Sequence, residues 1–305
     1  MKKENKKIEL LKPKYDVVFQ ALFQGNKENI TGSLISDILG EKVEIIDIKT
    51  DTSLIKKYPT DKAGRLDLKT KFADGTICQI EMQMSDEHNT VKRILYYWSR
   101  TYGEQLKLGD SYDELKKTIG IIITNYEIKE LKGIEELDTK WQIIETKRDN
   151  KLLTDDLELR IIEIPKAERI LEKEVHNRIA QWLTFINNPN TERVEEIMKE
   201  NEEVKKAKSV LHIMSKDEEL KRLAELKEKW ERDEISAQKA WKEDGLAEGR
   251  AEGRIKGRAE GRAEGIEQGK TLKSIEIAKR LKNKGYSMNE IIEITGLTQK
   301  EINNL

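Results

Sequence analysis

Two acidic residues in the segment 64–84, GRLDLKTKFADGTICQIEMQM, are the strongest candidates for catalysis. Polar and apolar residues alternate in both halves of the segment, which predicts two β-strands that each have one polar and one apolar face. A three-residue turn at 73–75, closed by a left-handed Gly75, would place Asp67 opposite Glu81. A two-residue turn would put these carboxylates on opposite faces and bury charge. We therefore expect the three-residue turn.

The predicted juxtaposition of Asp67 and Glu81 has two explanations. Two carboxylates directly opposite each other repel, and a divalent cation would remove the conflict. Mg²⁺ prefers oxygen ligands and retains water molecules that can attack a phosphate. The alternative is an ordinary solvated sheet face on which Arg65 and Lys69 neutralise the acids. The spacing alone leaves both explanations open.

A set of ordered motifs resembles one nuclease family. The motifs are PKYDVVFQALF at 13–23, GRLDL at 64–68, IEMQ at 80–83, RILYYWSRTYGEQLKLGDSY at 93–112, IEIPK at 162–166, glycines at every fourth position of the C-terminal region, and ITGLTQKEI near the end. Together they are similar to the recombination-promoting nuclease, or putative transposase, family of the PD-(D/E)XK superfamily. The resemblance extends over most of the chain.

The resemblance implies an α/β fold: a restriction-endonuclease-like PD-(D/E)XK core with a mixed central sheet flanked by helices, followed by a long helical C-terminal extension. It implies a Mg²⁺-dependent DNA endonuclease, with Mn²⁺ as a substitute, that promotes recombination and horizontal gene transfer. Gln20 and Gln83 stand where typical relatives have lysine. They keep an alternative open, in which an inactive nuclease fold serves as a DNA-binding or protein-interaction module.

The same resemblance assigns roles to individual residues. Asp67 and Glu81 would bind the metal, the backbone carbonyl of Met82 would add a ligand, and Gln83 would position the attacking water. Glutamine supplies no charge to the phosphorane, so its presence affects the rate more than the reaction type. Asp16 is an auxiliary candidate, although its place in the first turn of a helix also favours the helix dipole.

Basic residues near these acids are candidates for phosphate contacts. They are Lys14, Arg65 and Lys69, with Arg93, Tyr96 and Arg100 on a following helix predicted from Asn89 to Leu108. We expect that helix to pack through Val91, Leu95, Trp98 and Tyr102.

The coarse pattern predicts a strand within 42–55, the hairpin, the helix and then a strand at 118–124, TIGIIIT, covered on both sides. A further pair of strands, 141–146 and 157–164, is expected at the periphery of the sheet. We predict three domains: a nuclease-like domain at 1–190, a charged helical extension at 191–270 and a small helical element, resembling a helix-turn-helix, at 271–305.

The composition limits the class of protein. With 36% hydrophobic and 38% charged residues, the chain is too polar for one uniform globule, so we expect a compact part and a solvated helical part. The net charge of −1 gives no global attraction to nucleic acid. No apolar run approaches the roughly 20 residues that span a bilayer, so we expect no membrane partner and a cytoplasmic location. The single cysteine, Cys78, cannot form an internal disulfide.

Seven glycines recur at every fourth position from Gly245 to Gly269. Glutamates fill one column between them and arginines fill another. Glycine in a helix interior costs roughly 1 kcal/mol relative to alanine, so an isolated helix would be marginal. Either the segment is a flexible linker, or it is a helix stabilised by a second copy whose basic column meets its acidic one. The second interpretation predicts a homodimer.

Overall fold

The computed structural model describes residues 9–50, 68–86 and 89–305. The chain divides into two compact units, Met1–Glu234 and Ile235–Leu305. No described helix is both long and apolar enough to cross a membrane.

A mixed sheet organises the first unit. Its six described strands lie in the order β1-β2-β3-β4-β6-β5. They are β1 (Ile45–Lys49), β2 (Leu68–Phe72), β3 (Ile77–Gln83), β4 (Thr118–Thr124), β5 (Asp138–Trp141) and β6 (Leu157–Glu163). β3, β4 and β6 run parallel to one another, while the pairs β1–β2, β2–β3 and β5–β6 are antiparallel. The predicted mixed central sheet is confirmed.

The hairpin of β2 and β3 has the predicted register. Leu68 pairs with Ile80 and Lys69 pairs with Gln79. The backbone N–H of Phe72 donates to the carbonyl of Thr76 at 2.9 Å, and Gly75 has a φ of +93°. Residues 73–75 therefore form a three-residue turn, and Gly75 supplies the left-handed residue that this type of turn requires.

Helices cover both faces of the sheet. They are α1 (Asp16–Phe23), α2 (Ile30–Leu39), α3 (Thr90–Gly103), α4 (Ala167–Lys173), α5 (Arg178–Asn187), α6 (Glu192–Glu200) and α7 (Glu202–Met214). One face, which includes Ile80 and Ile121, packs against α1, α2 and α5 in the main core. Ile94 of α3 joins a second core on the opposite face. This layering fits an α/β fold, because each face of the sheet is apolar and must be covered.

β4 and the outer strands refine the predicted pattern. All seven residues of TIGIIIT are buried, as expected for a strand that is covered on both sides. The expected peripheral pair is partly wrong. β6 lies between β4 and β5, so of this pair only β5 is at an edge of the sheet. β5 covers 138–141 rather than 141–146. Residues beyond Trp141 form a separate small hairpin, in which Ile144 bridges Leu152.

The chain beyond residue 190 contributes to the first unit. Val194 and Ile197 of α6, with Val204 and Leu211 of α7, are buried in the main core. Helix α8 (Glu218–Asn283) follows and includes the residue at which the two units divide. The first compact unit extends to residue 234, because amphipathic helices after 190 have apolar faces that its core buries.

The second unit contains the glycine repeat and two short helices. α8 is continuous through all seven glycines, and a Cβ placed on each of them would meet no other atom within 4 Å. α9 (Met288–Thr295) and α10 (Gln299–Asn303) are separated at Gly296, as the sequence predicts. Both begin with a capping box, and their buried residues form a small core with Ala278.

Candidate active site

Strand β3 carries a row of buried polar side chains that all face the same side of the sheet. Gln79, Glu81 and Gln83 alternate with Cys78, Ile80 and Met82, which belong to the main core on the other side. Helix α3 lies beside the polar row. Thr101 of this helix donates to Oε1 of Gln79 at 2.5 Å. The polar face of β3 is therefore covered, whereas Lys69 and Lys71 on the same face of β2 are half-buried and exposed, respectively.

Glu81 is held by an arginine from α3. Nη2 of Arg93 donates to Oε1 of Glu81 at 2.6 Å, and the two side chains are 25% and 7% exposed. The guanidinium carbon of Arg93 also lies 5.9 Å from the centre of the Tyr97 ring. Burial raises the pKa of Tyr97, and the nearby Glu81 carboxylate raises it further. Glu81 is thus a buried carboxylate with a cationic partner.

Gln83 occupies the end of β3 and is engaged by local groups. Its Nε2 donates to the carbonyl of Ser85 at 3.0 Å. Its own backbone carbonyl accepts from the N–H of Asn125 at 2.9 Å, which ties the ends of β3 and β4 together. Gln83 and Glu81 therefore lie two positions apart on one face, as predicted.

Lys69 is the phosphate-contact candidate of the hairpin that the structure places beside this row. It lies on β2 directly opposite Gln79, and directly paired residues of neighbouring strands share a face. Asp67 and Arg65, the other two predicted site residues of this strand region, lie outside the described residues. Leu68, which follows Asp67 in the sequence, is paired with Ile80, which precedes Glu81.

Asp16 and Lys14 lie at the start of α1 and contact other parts of the chain. Oδ1 of Asp16 accepts from the N–H of Val17 at 2.8 Å, and Oδ2 forms an ion pair with Lys227 of α8 at 2.8 Å. Nζ of Lys14 donates to Oδ1 of Asn187 at 3.4 Å. Burial lowers the pKa of Lys14, and the negative charge of Glu231 partly opposes this effect.

Asn125 links the end of β3 to helix α8. In addition to its backbone contact with Gln83, it donates from Nδ2 to Oε1 of Glu231 at 3.4 Å. Glu231 is buried on α8. Burial raises the pKa of Tyr15, and the negative charge of Glu231 raises it further. The sequence indicates no role for Lys227 or Glu231. Lys227 lies 211 positions from its partner Asp16, and no motif around either residue indicates the contact.

The prediction for α3 was only partly correct. Its buried residues are Thr90, Ile94, Tyr97 and Thr101, whereas Val91 and Leu95 are exposed. The helix has apolar residues on two sides, and the side that packs against the sheet also carries Arg93. Trp98 is half-buried and donates from its indole to the carbonyl of Thr118 at 2.7 Å. Arg93 is a predicted phosphate contact, and in the structure it pairs with Glu81.

The chemistry of the site fits a hard cation. Glu81 offers carboxylate oxygens, the ligand type that Mg²⁺ prefers. The second carboxylate of the predicted pair, Asp67, lies outside the described part of the chain. Within the described ranges, no group of three or more histidine, cysteine, aspartate or glutamate side chains is arranged to hold a metal.

The comparisons with known proteins give one match. A family model described as PD-(D/E)XK nuclease family transposase matches residues 13–240. No curated protein and no solved structure matches the chain. The matched residues include all the strands of the sheet described above, the ion pair of Glu81 with Arg93, and the contacts of α8 with Asp16.

Proposed function

Since the chain belongs to the PD-(D/E)XK nuclease family transposases, we propose that it is a divalent-metal-dependent endonuclease that hydrolyses phosphodiester bonds of DNA. The observation that carries the proposal is the buried carboxylate of Glu81 on the polar face of β3. The register of the hairpin places β2 beside this part of β3. The family shows the nuclease relationship. The metal, the DNA substrate and a role in recombination are parts of the proposal.

In this scheme Glu81 and Asp67 hold Mg²⁺, or Mn²⁺ in its place, with the carbonyl of Met82 as a further ligand. When bound, the cation would lower the pKa of a water molecule and stabilise negative charge on the phosphate. Gln83 orients the attacking water through its amide. Asp16 serves as an auxiliary acid once Lys227 releases it.

The substrate backbone is bound by cationic side chains near the polar row. Lys69 has the best support, because it shares the face of Gln79 and Glu81. Lys14 and Arg65 are proposed as additional phosphate contacts. Because the whole chain has a net charge of only −1, binding must depend on such local groups, and it should weaken as salt increases. A cytoplasmic location is a further part of the proposal.

Nicking of supercoiled plasmid by the purified full-length protein tests this function. With Mg²⁺ present, we expect nicking by the wild type and a loss of about a hundredfold or more in Glu81→Gln and Asp67→Asn, because each removes a carboxylate that holds the cation. Glu202→Gln is the matched control, since Glu202 is an exposed glutamate paired with Lys205 on α7, which packs on the opposite face of the sheet. Equal nicking by the wild type and both site variants would disprove the assignment.

Two observations favour a second function, that of a DNA-binding module without activity. Gln83 donates its amide to Ser85, and Glu81 already has a cationic partner. A module of this kind would bind DNA with a salt-dependent affinity, measured by fluorescence anisotropy, and would leave the plasmid intact in Mg²⁺ and Mn²⁺. The nuclease proposal predicts nicking in at least one of these metals.

We also propose that α8 mediates a homodimer. Its glycines leave open space on the helix surface, and the acidic and basic columns of 245–269 lie on exposed surface. A second copy could approach closely along the glycines and pair opposite charges. Light scattering of the full chain should give twice the mass of 35.5 kDa. Reversing the charge of Arg250, Arg254, Arg258 and Arg262 should give a monomer, and a monomeric wild type would overturn the proposal.

A further inference from the structure

The ion pair of Glu81 with Arg93 places a positive charge on the carboxylate that is proposed to hold a metal. The Glu81 side chain is 7% exposed, and its oxygen lies 2.6 Å from Nη2 of Arg93. A buried carboxylate that loses its cationic partner is strongly destabilised. A cation beside Glu81 therefore stabilises its ionised form, and in the metal-free protein Arg93 supplies that cation.

A divalent cation and a guanidinium at the same carboxylate would repel each other. The repulsion between charges a few ångströms apart is considerable in a site from which water is largely excluded. Arg93 is better able to move than Glu81, because a quarter of its side chain is exposed and it is anchored on the surface helix α3. The Tyr97 ring, 5.9 Å away, offers a face along which the guanidinium can shift.

The reaction itself needs a positive charge that β3 does not provide. Gln79, Glu81 and Gln83 are the polar side chains of this strand on the site face, and none of them is cationic. Charge develops on the phosphate oxygens during hydrolysis, and preorganised cationic donors stabilise it. Arg93 is the cationic side chain that the described contacts place directly at Glu81.

We propose that Arg93 is an exchangeable counter-ion: it neutralises Glu81 in the metal-free protein and, when a divalent cation binds Glu81, turns to donate hydrogen bonds to the substrate phosphate. The proposal rests on the nuclease function proposed above and adds a catalytic residue from α3. It has a consequence independent of cleavage, because Arg93 must compete with the metal for Glu81. Removing the competitor should strengthen metal binding while it weakens catalysis.

Direct metal binding separates this role from a structural one. Mn²⁺ binding to the full-length protein is measured by electron paramagnetic resonance or calorimetry, without DNA. We expect Arg93→Met and Arg93→Gln to bind Mn²⁺ about tenfold more tightly than the wild type, since a charge repulsion worth about 1.4 kcal/mol changes affinity by that factor. Plasmid nicking at saturating Mn²⁺ should fall about a hundredfold in the same variants.

Two further variants complete the comparison. Arg93→Lys keeps the charge, so its Mn²⁺ affinity should stay within about twofold of the wild type and nicking should be partly restored. Arg280→Met removes a guanidinium from its exposed pair with Glu276 on α8 and should change neither quantity. Circular dichroism checks that each variant is folded. If the neutral variants fail to fold, NMR of the wild type provides the test. The Nε–H signal of Arg93, which is assigned by its loss in Arg93→Lys, should shift on addition of Mg²⁺.

The outcomes distinguish the two proposals. Neutral variants that bind Mn²⁺ as weakly as the wild type or more weakly, together with an active wild type, overturn the exchange and leave the nuclease function intact. An Arg93 Nε signal that Mg²⁺ does not move has the same meaning. A wild type that neither binds Mn²⁺ nor nicks DNA overturns both.

Discussion

Leu68 lies opposite Ile80 across the antiparallel pair of β2 and β3, and this register determines which polar side chains share a face. A shift of one residue would turn every side chain of β2 to the other side of the sheet. The register is set by the three-residue turn that precedes β3. The candidate site therefore depends on the conformation of one residue in that turn, Gly75.

Gly75→Ala should destabilise the fold and impair the site. Gly75 has a φ of +93°, which an alanine adopts at a cost of about 1–2 kcal/mol. Its added Cβ would also lie 3.3 Å from the flexible side chain of Lys116. Urea unfolding should show a loss of about that size. Gly75→Asn is the control, because asparagine tolerates positive φ better; an equal loss in both variants would contradict the explanation.

Lys166→Met should be among the most destabilising substitutions in the chain. Lys166 is 3% exposed and pairs with Glu163, which is 1% exposed, while its Nζ also donates to the carbonyls of Ile134 and Glu136. Removing one partner of such a buried pair costs about 3–5 kcal/mol. Chemical denaturation measures the loss.

The double variant Lys166→Met with Glu163→Leu should recover part of that stability, since no unpaired charge remains. Lys173→Met is the control, because the pair of Lys173 with Glu135 is exposed and contributes little. A cost below about 1 kcal/mol for Lys166→Met would show that the buried pair does not stabilise the fold.

Acid should destabilise the protein partly through Glu158. Burial tends to raise the pKa of this carboxyl, but hydrogen bonds from Arg160 and Lys117 oppose burial and lower it overall. A carboxyl with a lowered folded pKa stabilises the fold above its unfolded pKa, about 4.3, and this contribution is lost as the pH falls. The free energy of unfolding should therefore decrease from about pH 4.5 downward.

The Glu158→Gln variant tests this assignment. It should be less stable than the wild type at pH 7, because Arg160 and Lys117 lose a charged partner. Its stability should change less between pH 4.5 and pH 3 than that of the wild type, as measured by urea unfolding across this range. Parallel curves for the two proteins would exclude Glu158 as the titrating group.

Cys78 should be inert toward thiol reagents in the folded protein. It is fully buried on the core side of β3, and burial raises the pKa of its thiol to about 12. Only the thiolate reacts, so at pH 8 about one molecule in 10⁴ would be reactive even if the reagent had access. A colorimetric thiol assay should give one equivalent per chain in urea and almost none without it. Rapid reaction of the native protein would contradict the burial of β3.

Local patterns in the sequence determined much of the framework. Alternating residues predicted the β2–β3 hairpin, a continuous β-branched run predicted β4, and glycines with positive φ marked the ends of α2 and α9. These features depend on residues close together in the chain, so the period of the pattern and the chemistry of the turn are sufficient. The ordered motifs likewise indicated the family before any fold was described.

Only the tertiary structure decided which side of α3 meets the sheet, because that helix has apolar residues on two sides and both satisfy a helical period. The same packing brings Arg93 to Glu81, and it brings Lys227 to Asp16 across 211 positions of the sequence. Which residues become partners depends on how the helices pack on the sheet, and no short segment of the sequence determines that packing. The placement of Asp67 beside Glu81 stays a prediction of the hairpin register, whereas the partner of Glu81 is a product of the fold.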